Sequence, residues 1–189
     1  MRFRSFAVVL LLLCLLVPCV QVDAYEAEVE RRIAIGLNLF PNVLSVDVGI
    51  ASKVQGEKLH AYVVYQADKP AADVLVATVV KKVKTIKKVP LVVRSITLQE
   101  LAAQKKKSNP IAGLFIAERL DDNKLKQLLL FSKDRQVLTF SPFPGDVERG
   151  VSTGVFVGSK IRPFVNMATI KELNIKFHPL FLKFAYHYE

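Results

Sequence analysis

The hydrophobic and polar positions of this chain change period several times, and each change marks an element. Phe6 to Val17 is a nearly unbroken apolar run behind Arg2 and Arg4. From Tyr25 to Leu39, Val29, Ile33 and Leu37 fall on one face with Phe40, which predicts an amphipathic helix ended by Pro41. Val43 to Ala51 alternates, with Val46, Val48 and Ile50 on one side, and predicts a strand. Gln55-Gly56-Glu57 reads as a turn. Leu59 to Gln66 is apolar on both faces, as a central strand is.

Pro70 opens a predicted helix to Lys88 whose apolar stripe is Val76, Val79, Val80, Val83 and Ile86. Its valines lower helix propensity, which leaves part of the segment open to strand. Leu91 to Ile96 is a strand, and Thr97 with Glu100 forms a capping-box pattern for a short helix to Lys107, broken by Asn109-Pro110. Ile111 to Ala117 reads as a buried strand, Asp121 and Asp122 as caps of a helix to Lys133, and Val137 to Ser141 as another strand. Two hairpin strands follow, Val151–Val157 and Lys160–Val165, joined at Gly158-Ser159 with a positive φ expected at Gly158. Ala168–Leu173 is a short helix with a left-handed Asn174 at its end, and Pro179–Tyr188 a final helix. This order predicts one α/β domain: a central mixed, largely parallel sheet flanked by helices in a three-layer arrangement, plus a C-terminal β-hairpin and helix.

The first segment has the parts of an export signal. A short basic region precedes an apolar run shorter than the roughly 20 residues of a spanning helix, and Val22-Asp23-Ala24 suits a peptidase. Residues 1–24 therefore read as a signal peptide cleaved after Ala24, and residues 25–189 as the domain, which implies a periplasmic destination. Both cysteines, Cys14 and Cys19, lie in the leader, so the mature chain has no disulfide, thiol ligand or thiol nucleophile. The whole chain carries a net charge of +10; without Arg2, Arg4 and Asp23 it is +9, which favours anionic partners. No interleaving of aromatic and basic residues of the kind used by single-strand binders is present, and nucleic acid is not expected outside the cytoplasm.

Catalytic chemistry has no foothold in the pattern. Ser141 precedes a proline and Ser152 falls in a predicted strand, so neither forms a nucleophile elbow. His60, His178 and His187 have no metal-site spacing, and no glycine-rich phosphate loop occurs. No metal and no cofactor is expected. Candidate contact residues are Pro144, Gly145, Asp146, Glu148, Arg149 and Gly150 in a loop after Ser141, with Arg162 and Asn166 as a donor pair on one strand face. Lys81, Lys84 and Lys88 form a basic helix face, and Lys105-Lys106-Lys107 a basic run; each serves equally well as a solvated surface.

From Leu114 to Ala185 the chain resembles the YfiR family of periplasmic regulatory proteins. Leu114-Phe115-Ile116, Asp121-Asp122 and the leucines from Leu125 to Leu130 match the family's strand, acidic turn and Leu-rich helix. Gln136-Val137-Leu138-Thr139-Phe140-Ser141 matches its next strand, and Pro144, Gly145 and Gly150 its Pro-Gly and first later Gly, with Val151 replacing the second. Ile161, Arg162, Val165, Asn166 and Met167 match part of its closing strand, and Leu180–Ala185 its last helix. Phe164 replaces an acidic residue of that strand, and Leu39-Phe40-Pro41 only echoes a Trp-Pro ending of the first helix. The resemblance implies a non-catalytic periplasmic protein that binds, and inhibits, a membrane-bound signalling protein such as a diguanylate cyclase, and is released by an outer-membrane partner, here an outer-membrane lipoprotein. The alternative is a periplasmic solute-binding module for a small anionic or peptidic ligand. Peripheral membrane contact and a homodimer through Phe177, Phe181 and Phe184 remain open.

Overall fold

The computed structural model describes residues 3–104 and 110–189, with side chains described from Tyr25 onward. Among the described residues eight strands form one sheet in the order β2-β3-β1-β4-β5-β6-β7-β8. The strands are β1 Leu59–Tyr65, β2 Thr85–Ile86, β3 Val89–Thr97, β4 Gly113–Ile116, β5 Leu138–Ser141, β6 Thr153–Val157, β7 Ile161–Asn166 and β8 Tyr186–Tyr188. From β3 across β1, β4 and β5 to β6 every pairing is parallel; β2–β3 and β6–β7 are antiparallel, and β8 adds parallel to β7. The α/β expectation therefore holds, with the hairpin continuing the main sheet.

Helices cover both faces. On one, α1 (Phe3–Val46) and α2 (Lys69–Lys82) bury Leu37, Phe40, Val43, Leu44, Ala72 and Val79 against Ala61, Val63, Phe115 and Phe140. On the other, α3 (Leu98–Ala103) and α4 (Asp122–Arg135) bury Leu101, Leu125 and Leu128 against Val64, Leu114 and Ile116. Phe40, Phe115 and Phe140 meet at the centre, with ring centroids 5.6–5.8 Å apart. The capping box stands as read: the Thr97 hydroxyl accepts from the Glu100 N–H at 3.1 Å, and the Glu100 carboxylate accepts from the Thr97 N–H at 2.8 Å. The basic run Lys105-Lys106-Lys107 and Asn109 lie outside the described residues.

Five expectations are corrected. Pro41 does not end α1, which runs on to Val46; Pro41 is itself buried, and the stripe Leu37, Phe40, Val43, Leu44 continues past it into the core. That burial outweighs the one hydrogen bond a proline removes. The predicted strand Val43–Ala51 is thus helix followed by a 3-10 turn, Val48–Lys53, capped by the buried Asp47 carboxylate on the Gly49 N–H at 2.8 Å. The α2 helix stops at Lys82, and Lys87 and Lys88 adopt left-handed φ of 47° and 70° to make the β2–β3 turn. The last predicted helix is split into α6 (Pro179–Phe184) and β8, whose Tyr186 and Tyr188 alternate as a strand requires. Finally, Val157 pairs with Ile161, so the hairpin turn has three residues, and Gly158 is not among the positive-φ glycines. Its missing Cβ matters instead, since one would lie 2.7 Å from the Phe156 ring.

Candidate functional site

The loop from Ser141 to Val151 leaves β5 and returns the chain to start β6 alongside it. Gly145 and Gly150, with φ of 86° and 108°, supply the two turns that side chains disfavour, and backbone bonds Arg149 N–Gly145 O (3.2 Å) and Val151 N–Asp146 O (3.0 Å) close it. Asp146 is buried beneath. Its carboxylate accepts from the Ser141 hydroxyl at 2.6 Å and from Arg149 at 3.0 Å. Arg149 also reaches Asp122 in the first turn of α4. Burial pushes the Asp146 carboxyl up from the ordinary range, against the pull of the Ser141 bond and of Arg149 and Arg119.

Other elements brace the loop from its flanks. Arg32 on α1 is buried and donates to the Pro142 carbonyl at 2.7 Å and the Val155 carbonyl at 2.6 Å. Desolvation lowers its pKa, offset by the charges of Glu28 and Glu148. Arg119 donates to the Pro144 carbonyl at 3.1 Å and to the Tyr25 hydroxyl at 3.3 Å. Asn166 donates to the Val147 carbonyl at 2.8 Å while its side-chain oxygen caps α5 (Met167–Glu172) through the Thr169 N–H at 2.9 Å. The loop is therefore a braced platform. Pro144, Glu148 and Arg149 are its exposed members.

Two concavities border the platform. One of about 150 Å³ is framed by Arg32, Phe143, Pro144, Glu148, Phe156 and Phe164. The other is a wide depression lined by Arg119, Leu120, Asp121, Asp122 and Arg149. At the β1/β4 switch point, where open parallel sheets usually bind ligands, the chain fills its own crevice: the Glu118 carboxylate accepts from the N–H groups of Gln66 and, at 2.7 Å, Ala67.

The structure gathers Pro144, Gly145, Glu148, Arg149, Gly150 and Asn166 into this one region. Asn166 spends both its side-chain functions inside the fold, and Arg162 stands exposed at the start of β7. Lys81, Lys84 and Lys88 are all exposed but sit on a helix, a connection and a turn, so they share no helical face. Ser141 and Ser152 are buried; the Ser152 hydroxyl donates to the Thr139 carbonyl at 2.7 Å. His178 caps α6 on the Leu180 N–H. Among the described residues no group of three or more His, Cys, Asp or Glu could hold a metal. Arg32, Arg119, Asp122 and Ser141 complete the site; the sequence read Asp122 only as a helix cap and acidic turn and Ser141 only as a rejected nucleophile, and gave Arg32 and Arg119 no role, Arg32 having partners 110 and 123 positions away.

A family model described as YfiR/HmsC-like matches residues 52–186, which includes every strand up to Tyr186 and the whole loop. The chain belongs to the YfiR/HmsC-like family. Members of the YfiR/HmsC-like family are periplasmic regulators of cyclic di-GMP signalling that interact with inner-membrane signalling proteins, and the family is regulatory and non-catalytic. No curated protein matches the chain. Among solved structures it is similar to the crystal structure of an ABC domain in complex with L-Trp from Streptococcus pneumonia, at 11% identity and a TM-score of 0.49, over 77% of this chain and 60% of that one. No role or ligand passes to this chain at that level of similarity. Among the residues with described side chains no helix is long and apolar enough to cross a membrane.

Proposed function

We propose that this chain is a periplasmic regulator that binds the periplasmic part of a membrane-bound signalling protein, such as a diguanylate cyclase, and holds it inactive. Membership of the YfiR/HmsC-like family over residues 52–186 carries the reading. Residues 1–24 act as a leader removed after Ala24, and residues 25–189 act as the regulatory domain. The contact surface is the braced loop, with Pro144, Glu148 and Arg149 reaching the partner. A platform fixed before binding loses little conformational freedom on docking, which favours affinity.

The test is crosslinking in intact cells followed by recovery of partners from the membrane fraction, with cyclic di-GMP measured in parallel. Recovery of a cyclase, and a rise in cyclic di-GMP on deletion of the gene, supports the reading; no membrane partner and unchanged cyclic di-GMP overturns it. Glu148→Gln should weaken the crosslink, with the melting temperature lowered only slightly by the loss of its charge beside Arg32, and circular dichroism confirms that the variant is folded.

One observation favours a solute-binding role as the second reading. A cleft of about 270 Å³ is bordered by Ser52, Lys53, Gln136, Asn174 and Lys176, with the Lys53 ammonium sequestered 3.0 Å from Asp47. A small carboxylate that fits there raises the melting temperature by mass action; a flat thermal-shift screen removes this reading.

A further inference from the structure

The fold ends in a surface that the loop site does not use. Beyond Val157 the β6–β7 turn projects from the sheet, and α6 brings Phe184 beside it, just before Tyr186 pairs with Phe164. Between them lies an open concavity of about 310 Å³ lined by Lys160, Ile161, Arg162, Pro163, Lys183 and Phe184. Its lining holds three cations and no carboxylate. Phe184 is 71% exposed, the highest value among the described large apolar side chains; Leu180, one turn earlier on α6, is 58% exposed, and Ile161 in the same lining and its strand partner Val157 are 43% and 39% exposed. Folded proteins seldom group exposed apolar side chains of this size unless the group meets something.

The position of the patch narrows what it meets. Arg32 fixes α1 to the Val155 carbonyl, two residues before the β6 strand ends at Val157. Tyr25, one helical stretch earlier, is held by Arg119. The chain preceding Tyr25, with its apolar run Phe6–Val17, therefore leaves the fold at the end of the sheet from which the β6–β7 turn projects. During export, before the leader is removed after Ala24, that run engaged with the bilayer would hold this end of the sheet towards the membrane, and the surface remains on the processed domain.

We infer that the β6–β7 turn and α6 form a docking surface for an anionic lipid bilayer, with Val157, Ile161, Leu180 and Phe184 entering the interface and Lys160, Arg162 and Lys183 meeting headgroup phosphates. Apolar tips ringed by Lys and Arg are the composition that interfacial binding rewards. The inference stands apart from the regulatory reading, since it needs neither the loop nor a protein partner.

The experiment is co-sedimentation of the exported protein with vesicles of phosphatidylglycerol and phosphatidylcholine, against vesicles of phosphatidylcholine alone. The protein should sediment with the anionic vesicles only and be released by high salt. Each cation removed from a bilayer surface should weaken partitioning about fivefold, so the charge reversals Lys160→Glu and Lys183→Glu together should weaken it about 25-fold or more. Phe184→Ser should weaken it with the charge unchanged. The control reverses Lys58 and Lys88, exposed cations before β1 and on the β2–β3 turn, at the far side of the sheet from the patch. It alters net charge equally and should leave partitioning within about twofold if local contact decides the effect. Circular dichroism melting shows whether each variant is folded. No binding to anionic vesicles overturns the inference. So does equal loss in the two charge-reversal pairs, which would reduce the effect to net charge, and so does binding unaffected by Phe184→Ser, which would show that no apolar side chain enters the interface.

Discussion

Asp146 places a carboxylate under a loop, inside the protein, with a serine hydroxyl and one guanidinium for company. Burial raises its pKa, so between the ordinary carboxylate range and its raised value the folded chain binds more protons than the unfolded one. Stability from this group is full below that interval and is lost as pH rises through it. Asp73, Glu100 and Asp121 have the opposite sign. Bonds to Lys69 and Ser95, to Thr97, and to the Lys124 N–H hold them below the usual range, so their contribution is lost as pH falls. On acidification Asp146 therefore offsets part of the loss caused by the other three. In Asp146→Asn the offset is gone, and the melting temperature should fall more steeply from neutral pH to about pH 4 than in the parent chain. Parallel curves by circular dichroism would show that Asp146 titrates alike in both states. Little of this was legible in the residue string: Asp146 reads as one more loop acid, because its burial is produced by Ser141 and Arg149 folding over it.

Elements were legible where the signal was local. Thr97 and Glu100 carry their capping box within four positions, and the structure reproduces it. Thr97→Ala should cost about 1 kcal/mol, measured by urea denaturation, as loss of an N-cap usually does. Gln55-Gly56-Glu57, the Leu-rich α4 and the left-handed Asn174 were readable for the same reason. Elements were lost where a distant partner decided. Pro41 sits in a helix because Phe40 and Leu44 find Phe115 and Gly113 on β4. Lys87-Lys88 makes a tight turn without Gly or Asn, so nothing marked it. Tyr186–Tyr188 becomes a strand because β7 offers it an edge. Gly154 is decisive in the junction of β5 and β6. A Cβ there would lie 2.7 Å from both the Ser141 carbonyl and a Val147 methyl, so Gly154→Ala should push the loop from the sheet and cost about 1–3 kcal/mol. An unchanged denaturation midpoint would mean that the loop yields freely and is not the rigid platform described above.

At the scale of the molecule, stability depends on one core split by the sheet. Phe40, Phe115 and Phe140 join α1 to β4 and β5 at its centre, all fully buried. Phe115→Ala should cost about 3–5 kcal/mol in equilibrium unfolding. The α/β class was readable from the alternation of strands and helices, and the parallel centre from strands apolar on both faces. The position of β8 was not, since three exposed residues carry no burial signal.

The end of α1 meets the C-terminal segment. The Val46 carbonyl receives the His178 N–H at 2.9 Å, Asp47 bridges to Phe177, and β8 occupies the final residues but one. Contacts of such sequence separation form late and slowly. Until that segment is in place, α1 packs on β4 and β5 through Phe40 and Leu44 but its end is unpinned, and the sheet lacks its edge strand β8. The junction between the end of α1 and the β8 edge is thus the last part of the fold to close, and weakening it should loosen both elements together while leaving the parallel centre intact.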